Sequence, residues 1–149
     1  MPDLGLSEVA ASGGGRDVLI IEDNRQNLEL AQFLLEEAGH SVRSAGDARS
    51  ARVELERQVP DLVLMDMQLP GTDGLELVAE LRGDGRFRHL PIVALTAHAL
   101  RGDRERFLAG GCDGYIAKPI DVATFALQVE ALMPPPRPAA GATPAAEVD

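Results

Sequence analysis

Four short apolar runs in this sequence are each followed by side chains of the kinds that bind cations or phosphate groups. These side chains belong to Glu22, Asp23, Asp66, Thr96 and Lys118. Short apolar runs are typical of buried strands, and in an open parallel α/β sheet ligands bind at the carboxyl ends of the strands. Any one of these residues can be explained as a loop residue. An acidic pair, an acid, a hydroxyl and a cation at four strand ends together predict a binding site.

The run that ends at Asp66 is the clearest of the four. Residues 61–65 are Asp-Leu-Val-Leu-Met, too few for a helix and apolar on both faces, which is typical of a central parallel strand. Pro70-Gly71 then predicts a turn. The alternative is that Asp66 only begins this turn, because aspartate is common in turns.

The chemistry of this set is that of phosphoryl transfer. Two carboxylates about 4 Å apart repel each other by roughly 4 kcal/mol at an effective dielectric constant of about 20, so a cluster of three favours a bound cation. Oxygen ligands that leave room for water and a phosphate suit Mg²⁺. Asp66 can then act as a nucleophile toward phosphorus and become an aspartyl phosphate. Lys118 would neutralise the phosphoryl oxygens while Thr96 donates a hydrogen bond.

Lys118 is the only lysine among 14 lysine and arginine residues. A compact ammonium acts on phosphate as a point charge, where a planar guanidinium is bulkier and differently aimed. The use of lysine at this one position therefore favours a role in the site over that of a surface cation that happens to follow a strand.

The elements that must position these residues alternate strand and helix from residue 17 to residue 133, which predicts βαβ units and a parallel sheet. Right-handed crossovers then favour a doubly wound α/β fold with strand order 2-1-3-4-5 and strand two at the edge. The predicted strands are Val18–Ile21, Ser41–Ala45, 61–65, Pro91–Leu95 and Tyr115–Ala117. Five helices follow the strands, near 28–38, 48–58, 75–81, 99–109 and 122–132. The segments 1–16 and 134–149, rich in Gly or in Pro and Ala, are predicted to be flexible tails.

Composition excludes several classes of function. The formal net charge of −10 argues against nucleic-acid binding, because an acidic surface repels phosphate backbones. Cys112 is the single cysteine, so neither a disulfide framework nor a cysteine-based metal site is expected, which suits the reducing cytoplasm. No apolar run approaches the length of a membrane span, and no signal peptide is recognisable.

Five spaced motifs make residues 17–133 resemble the receiver domain of two-component response regulators, a flavodoxin-like fold. The motifs are Ile21-Glu22-Asp23-Asn24, the Leu64–Met67 strand end with Leu69-Pro70-Gly71, Asp73-Gly74, Leu95-Thr96-Ala97 and Tyr115–Pro119. The Glu-Asp-Asn form and the segment 96–100 are similar to stand-alone receivers of the DivK type and to receivers attached to hybrid kinases. Glu22 stands where many members carry aspartate.

The resemblance implies that a histidine kinase or histidine phosphotransfer protein gives its phosphoryl group to Asp66. It implies Mg²⁺ held by Asp23, Asp66 and the backbone carbonyl of Gln68, with Glu22 acting through water. It also implies a cis peptide bond between Lys118 and Pro119.

A switch is predicted at Thr96 and Tyr115, read by a partner at the face of the fourth helix, fifth strand and fifth helix. Gln68 and His98, which flank the phosphate, are expected to set the lifetime of the phosphorylated state. The alternatives are that His98 is a solvent-facing loop residue and that Tyr115 only caps the core.

The leading hypothesis is a single-domain phosphorylation-controlled interaction module rather than an enzyme. A receiver cut from a hybrid histidine kinase is the first alternative. A metal-dependent phosphatase or mutase with an aspartate nucleophile is the second, and such enzymes typically place an acid/base aspartate where this sequence has Gln68. A flavin-binding protein of the same architecture is the third, and the 3% aromatic content argues against it.

Overall fold

Five parallel strands form the central sheet, and five helices cover its two faces. The structure is a computed structural model that describes residues 15–69, 71–97 and 101–133. The sheet strands are β1 (Asp17–Ile21), β2 (Ser41–Ala45), β3 (Leu62–Asp66), β6 (Ile92–Thr96) and β7 (Gly114–Ala117). The helices are α1 (Arg25–Glu37), α2 (Ala48–Arg57), α3 (Gly74–Arg82), α4 (Arg101–Ala109) and α5 (Phe125–Ala131).

The sheet order is β2-β1-β3-β6-β7, so the predicted order of the five strands, 2-1-3-4-5, is confirmed. Every pairing in this sheet is parallel. A further antiparallel pair of two-residue strands, β4 (Gln68–Leu69) and β5 (Thr72–Asp73), was expected to be loop. Gly71 lies between these strands at φ 69°, a backbone conformation that favours glycine.

Alternate residues of β1 face two separate apolar cores, because successive side chains of a strand point to opposite faces. Val18 and Ile20 pack with α1 and α5, whereas Leu19 and Ile21 pack with α2, α3 and α4. β3 and β6 are buried at every position. This burial on both faces explains why the central strands read as continuous apolar runs.

Helix starts are set by side chains that accept backbone N–H groups. Asn24, Asp47 and Asp73 cap α1, α2 and α3 in this way. α4 is held less firmly, since Phe107 is the one buried residue between 103 and 109. The many charged residues of α4 leave it little apolar surface for packing.

Some predicted boundaries are wrong. The last helix was expected to begin near Val122, but Val122 precedes α5 and is 61% exposed. Residues 121–124 form turns before the helix begins. The apolar residues at helical spacing therefore begin before the helix does. The predicted tails lie outside the described residues except for Gly15 and Arg16, and His98 also lies outside them. Within the described residues no helix combines the length and apolar character that crossing a membrane requires.

Candidate functional site

Asp66 ends the central strand β3 and is 4% exposed. One carboxylate oxygen, Oδ1, accepts the backbone N–H of Gln68 at 2.9 Å. The other, Oδ2, lies 3.2 Å from Nζ of Lys118. Asp66 is therefore held by a backbone donor and a cation at the carboxyl edge of the sheet, the edge that its position after an apolar run predicts.

The acidic pair follows β1 at the same edge, but its two members differ in environment. Glu22 is 1% exposed, and its backbone N–H donates to the carbonyl of Ala45. Asp23 is exposed. Oxygen atoms of Glu22, Asp23 and Asp66 all lie within 4.8 Å of one another. The structure thus brings together the three carboxylates that the sequence nominates.

Lys118 connects two of these carboxylates. Its Nζ lies 3.1 Å from Oε1 of Glu22 as well as 3.2 Å from Oδ2 of Asp66, and its side chain is 16% exposed. The backbone N–H of Lys118 donates to the carbonyl of Thr96, which ties the ends of β6 and β7 together. Thr96 is 3% exposed at the end of β6. The Lys118–Pro119 peptide bond is cis, which confirms the expectation from the resemblance.

The electrostatics of the cluster leave negative charge that one lysine does not fully balance. Burial raises the pKa of Glu22, the neighbouring Asp66 raises it further, and the Asn24 N–H and Lys118 oppose this shift. Oε2 of Glu22 accepts the N–H of Asn24. Oε1 is buried and has only the ion-pair contact with Lys118, without a hydrogen-bond donor in good geometry among the described residues. A buried carboxylate oxygen in this state, beside two further carboxylates, fits a hard cation such as Mg²⁺.

The loop after Asp66 is braced by a close backbone approach. Gly74, the first residue of α3, lies so near Met67 that a Cβ atom at this position would be 2.8 Å from the Met67 Cα. The N–H of Gly74 donates to the carbonyl of Met67, and the N–H of Met67 donates to the carbonyl of Leu95. Gln68 then follows as an exposed residue at the start of β4. Its backbone therefore lies next to Asp66 while its side chain faces solvent.

Tyr115 belongs to β7, and its ring lies on the side of the sheet that α4 covers. Its ring is partly buried against the core that also contains Phe107. The guanidinium of Arg104 on α4 lies 5.9 Å from the centre of the ring. This contact was not predicted from the sequence, where Arg104 is one charged residue in a charged helix. It links Tyr115, the residue expected to switch, with a helix of the face that a partner is expected to read.

A second arginine that sequence reasoning missed is Arg82, at the end of α3. Its guanidinium donates to the carbonyls of Phe87, Arg88, Leu90 and Gly111 and to the carboxylate of Asp113. The same Asp113 oxygen accepts the N–H of Ile92, where β6 begins. Arg82 therefore fixes the amino-terminal ends of β6 and β7, at the opposite edge of the sheet from Asp66. A lone arginine at a helix end gives no sequence signal of such a role.

Cys112 is 5% exposed, and burial raises the pKa of its thiol to about 11. A protonated and covered thiol is a poor nucleophile and metal ligand. This side chain therefore contributes to packing.

Comparison with known proteins gives matches along the whole folded region. The family model of the response regulator receiver domain matches residues 18–130. The polar-differentiation response regulator DivK of Brucella anthropi is 42% identical over 111 residues, which are 74% of this chain and 89% of that protein. DivK of Brucella abortus strain 2308 gives the same identity and coverage.

Two solved structures are similar over 80% of the chain. The receiver domain of the sensor histidine kinase PA1611 from Pseudomonas aeruginosa, solved with a magnesium ion coordinated in its active site cleft, is 37% identical with a TM-score of 0.71 over 98% of its length. The chemotaxis response regulator CheY4 of Vibrio cholerae has a TM-score of 0.75 over 99% of its length, and at 24% identity it supports the fold alone.

Proposed function

The chain belongs to the response regulator receiver domain family, and we propose that Asp66 is the residue on which it accepts a phosphoryl group. The observation that carries the proposal is the pairing of a buried strand-end carboxylate with the only lysine of the chain, at 3.2 Å. The donor is a phosphohistidine of a histidine kinase or histidine phosphotransfer protein. An oxygen of Asp66 attacks phosphorus, a P–O bond forms as the P–N bond breaks, and the electron pair returns to the imidazole.

The carboxylates beside Asp66 are proposed to hold Mg²⁺. Asp23, Asp66 and the backbone carbonyl of Gln68 supply direct oxygen ligands, and Glu22 acts through water. When bound, the metal ion supplies positive charge that stabilises the phosphoryl oxygens. The buried Oε1 of Glu22 and the magnesium ion in the related PA1611 receiver both support this assignment.

Lys118 and Thr96 are proposed to contact the transferred group. Lys118 already lies within ion-pair distance of Asp66, so its ammonium neutralises a phosphoryl oxygen on Asp66 with little movement. Thr96 is buried at the neighbouring strand end and supplies a hydroxyl donor. Positioning and charge stabilisation carry most of phosphoryl transfer, so these groups suffice.

Gln68 and His98 are proposed to control how fast the phosphorylated state is hydrolysed. The exposed side chain of Gln68 starts the loop after Asp66, where attacking water must enter. Replacement of both residues is expected to change the hydrolysis rate without preventing phosphorylation. An unchanged hydrolysis rate in the double variant would remove them from this role.

Thr96 and Tyr115 are proposed to convert phosphorylation into a change of surface. Movement of the Thr96 hydroxyl toward the phosphoryl group vacates space near β7 that Tyr115 can occupy. Inward movement of Tyr115 would break its contact with Arg104 and loosen α4, in which Phe107 is the only buried residue between 103 and 109. The face formed by α4, β7 and α5 then offers a downstream protein a different surface.

A response regulator of this kind in the cytoplasm is favoured over the other readings. The chain is 42% identical to DivK and 37% identical to the receiver of the sensor histidine kinase PA1611, and the higher identity to DivK favours a response regulator over the receiver of a hybrid histidine kinase. A phosphatase is not favoured, because the side-chain amide of Gln68 neither gains nor loses a proton near neutral pH and so cannot act as a general acid or base. Intrinsic phosphatase activity beyond release of its own phosphoryl group is not expected.

The direct test is phosphotransfer from radiolabelled histidine kinases with and without Mg²⁺. Wild type is expected to take up the label when Mg²⁺ is present, whereas Asp66→Asn is expected to take up none. Asp61→Asn is the matched control, because Asp61 lies immediately before the opposite end of the same strand and accepts the N–H of Asp17. Full labelling of Asp66→Asn would refute the assignment.

The metal assignment is tested separately by titration of Mg²⁺. Asp23→Ala is expected to bind Mg²⁺ much more weakly, since it removes a charged oxygen ligand. Asp61→Asn is expected to bind as wild type does. Unchanged affinity in Asp23→Ala would exclude Asp23 from the site.

A further inference from the structure

A pocket of about 80 Å³ opens between α2 and α3, away from the phosphorylation site. Every residue that lines it belongs to α2, to α3 or to the loop that follows α3. Its floor is apolar and consists of Leu55, Leu81 and Phe87, each at most 3% exposed. The volume exceeds the roughly 10–15 Å³ that one water molecule needs on this measure, so the pocket has room for the end of a flexible side chain.

Two arginines at the rim are each held by carboxylates. Nε and Nη2 of Arg52 donate to the two oxygens of Glu80, both at 2.8 Å. Nη1 and Nη2 of Arg86 donate to the two oxygens of Glu56 at 2.7 and 2.9 Å. Arg86 also donates from Nε and Nη2 to Asp84, at 3.1 and 2.8 Å. The rim therefore has more carboxylates than guanidinium groups and carries one net negative charge.

The rim charge persists at neutral pH. Hydrogen bonds from Arg86 lower the pKa of Asp84 to about 2 and also lower that of Glu56, while Arg52 lowers the pKa of Glu80. All three guanidinium nitrogen atoms of Arg86 donate to Glu56 or Asp84, so an incoming anion would compete with these two carboxylates. Carboxylate oxygens can each accept more than one hydrogen bond, so an incoming cation finds acceptors without breaking a pair.

From this arrangement we propose that the pocket receives a basic side chain, lysine or arginine, of a partner protein. The alkyl stem packs on the apolar floor while the cation meets the rim, as long basic side chains do on other amphipathic surfaces. Val53, three residues before Glu56 on the same helix, is a large apolar side chain that is 56% exposed. A protein surface would cover Val53, whereas a free amine would not.

The test is a titration of the full chain with Nα-acetyl-lysinamide as the probe, in which binding is measured by nuclear magnetic resonance from the chemical-shift changes of backbone amides. We expect saturable shifts confined to α2, α3 and the loop after α3, with a dissociation constant in roughly the millimolar range that suits so small a ligand. Butyrate at the same ionic strength is expected to cause no such shifts. Saturable binding of butyrate at the pocket, or no binding of the lysine probe there, would overturn the proposal.

Matched variants separate the pocket from general attraction to an acidic protein. Glu56→Gln removes one rim charge and is expected to weaken binding about threefold, the size of an exposed charge interaction. Glu37→Gln changes the net charge equally at an exposed position on α1 and is expected to leave binding unchanged. Equal weakening in both variants would show nonspecific attraction and overturn the proposal. Spermidine binding at this pocket far more tightly than the lysine probe would overturn the assignment to a protein partner.

Discussion

Replacement of Lys118 by methionine tests whether the site is a charge cluster that needs a cation. Methionine keeps an unbranched chain but leaves Glu22 and Asp66, 1% and 4% exposed, without their shared ammonium. Their oxygens lie within 4.8 Å, so they repel each other by roughly 3 kcal/mol at an effective dielectric constant of about 20. Loss of one partner from a buried ion pair costs a similar amount, about 3–5 kcal/mol. We expect Lys118→Met to lower the free energy of unfolding by about 3 kcal/mol in buffer containing a metal chelator.

The assay is urea unfolding followed by far-ultraviolet circular dichroism. The double variant Lys118→Met/Asp66→Asn is expected to recover most of the loss, because only one of the two buried charges remains. Mg²⁺ is expected to stabilise Lys118→Met more than it stabilises wild type. Arg57→Met, which removes a cation that is 65% exposed, serves as the control and is expected to change stability by less than about 0.5 kcal/mol. The reasoning is refuted if Lys118→Met matches wild type in chelator, or if the double variant is no more stable than Lys118→Met.

Three further predictions concern residues that contribute to packing and to the structure of the loops. Gly74→Ala places a Cβ atom 2.8 Å from the Met67 Cα, and we expect thermal unfolding to show a loss of about 1–3 kcal/mol. Cys112 is expected to resist iodoacetamide in the folded protein and to react after unfolding. Burial raises the pKa of the Cys112 thiol from 9.0 to about 11, so the thiol stabilises the folded state fully below pH 9.0, and this stabilisation is lost as the pH rises through about 11. Urea unfolding of Cys112→Ala should not show this loss. Arg82→Lys keeps the charge, but one ammonium cannot replace all the contacts that the guanidinium makes with the loops and Asp113. Hydrogen exchange at the start of β6 is therefore expected to accelerate more than tenfold, about 1.4 kcal/mol or more.

The sheet was predictable because burial on both faces leaves a strong pattern in the sequence. β3 and β6 are apolar at nearly every position, and the helix-length segments between strands require parallel crossovers. The short pair β4 and β5 was missed because two residues cannot display a period. The start of the last helix was predicted too early, because Val122 fits the helical spacing of the apolar residues that follow it. Turns occupy residues 121–124 instead, and Val122 is exposed.

The positions of the candidate site residues were predictable because strand ends determine where short side chains lie. Asp66 and Thr96 lie at the ends of neighbouring strands, so topology alone brings them to one edge. The charge balance was not predictable in the same way. Whether Lys118 contacts Glu22, Asp66 or both depends on the conformations of long side chains, and sequence patterns carry no information on those.

The contacts of long side chains, which sequence patterns do not predict, also decide how the proposed switch works. Tyr115 could be singled out as the only tyrosine of the chain, in its last strand, but the strength of a switch depends on what holds α4 in place. Arg104 lies over the Tyr115 ring at 5.9 Å, a contact worth only about 0.5–1 kcal/mol at an exposed site, and Phe107 is the one buried anchor between 103 and 109. A helix held this weakly can be shifted by one hydrogen bond gained at Thr96, because the net gain from such a bond, about 0.5–1.5 kcal/mol, is of the same size. A tightly packed helix in that position would leave the phosphoryl group without a means of changing the surface.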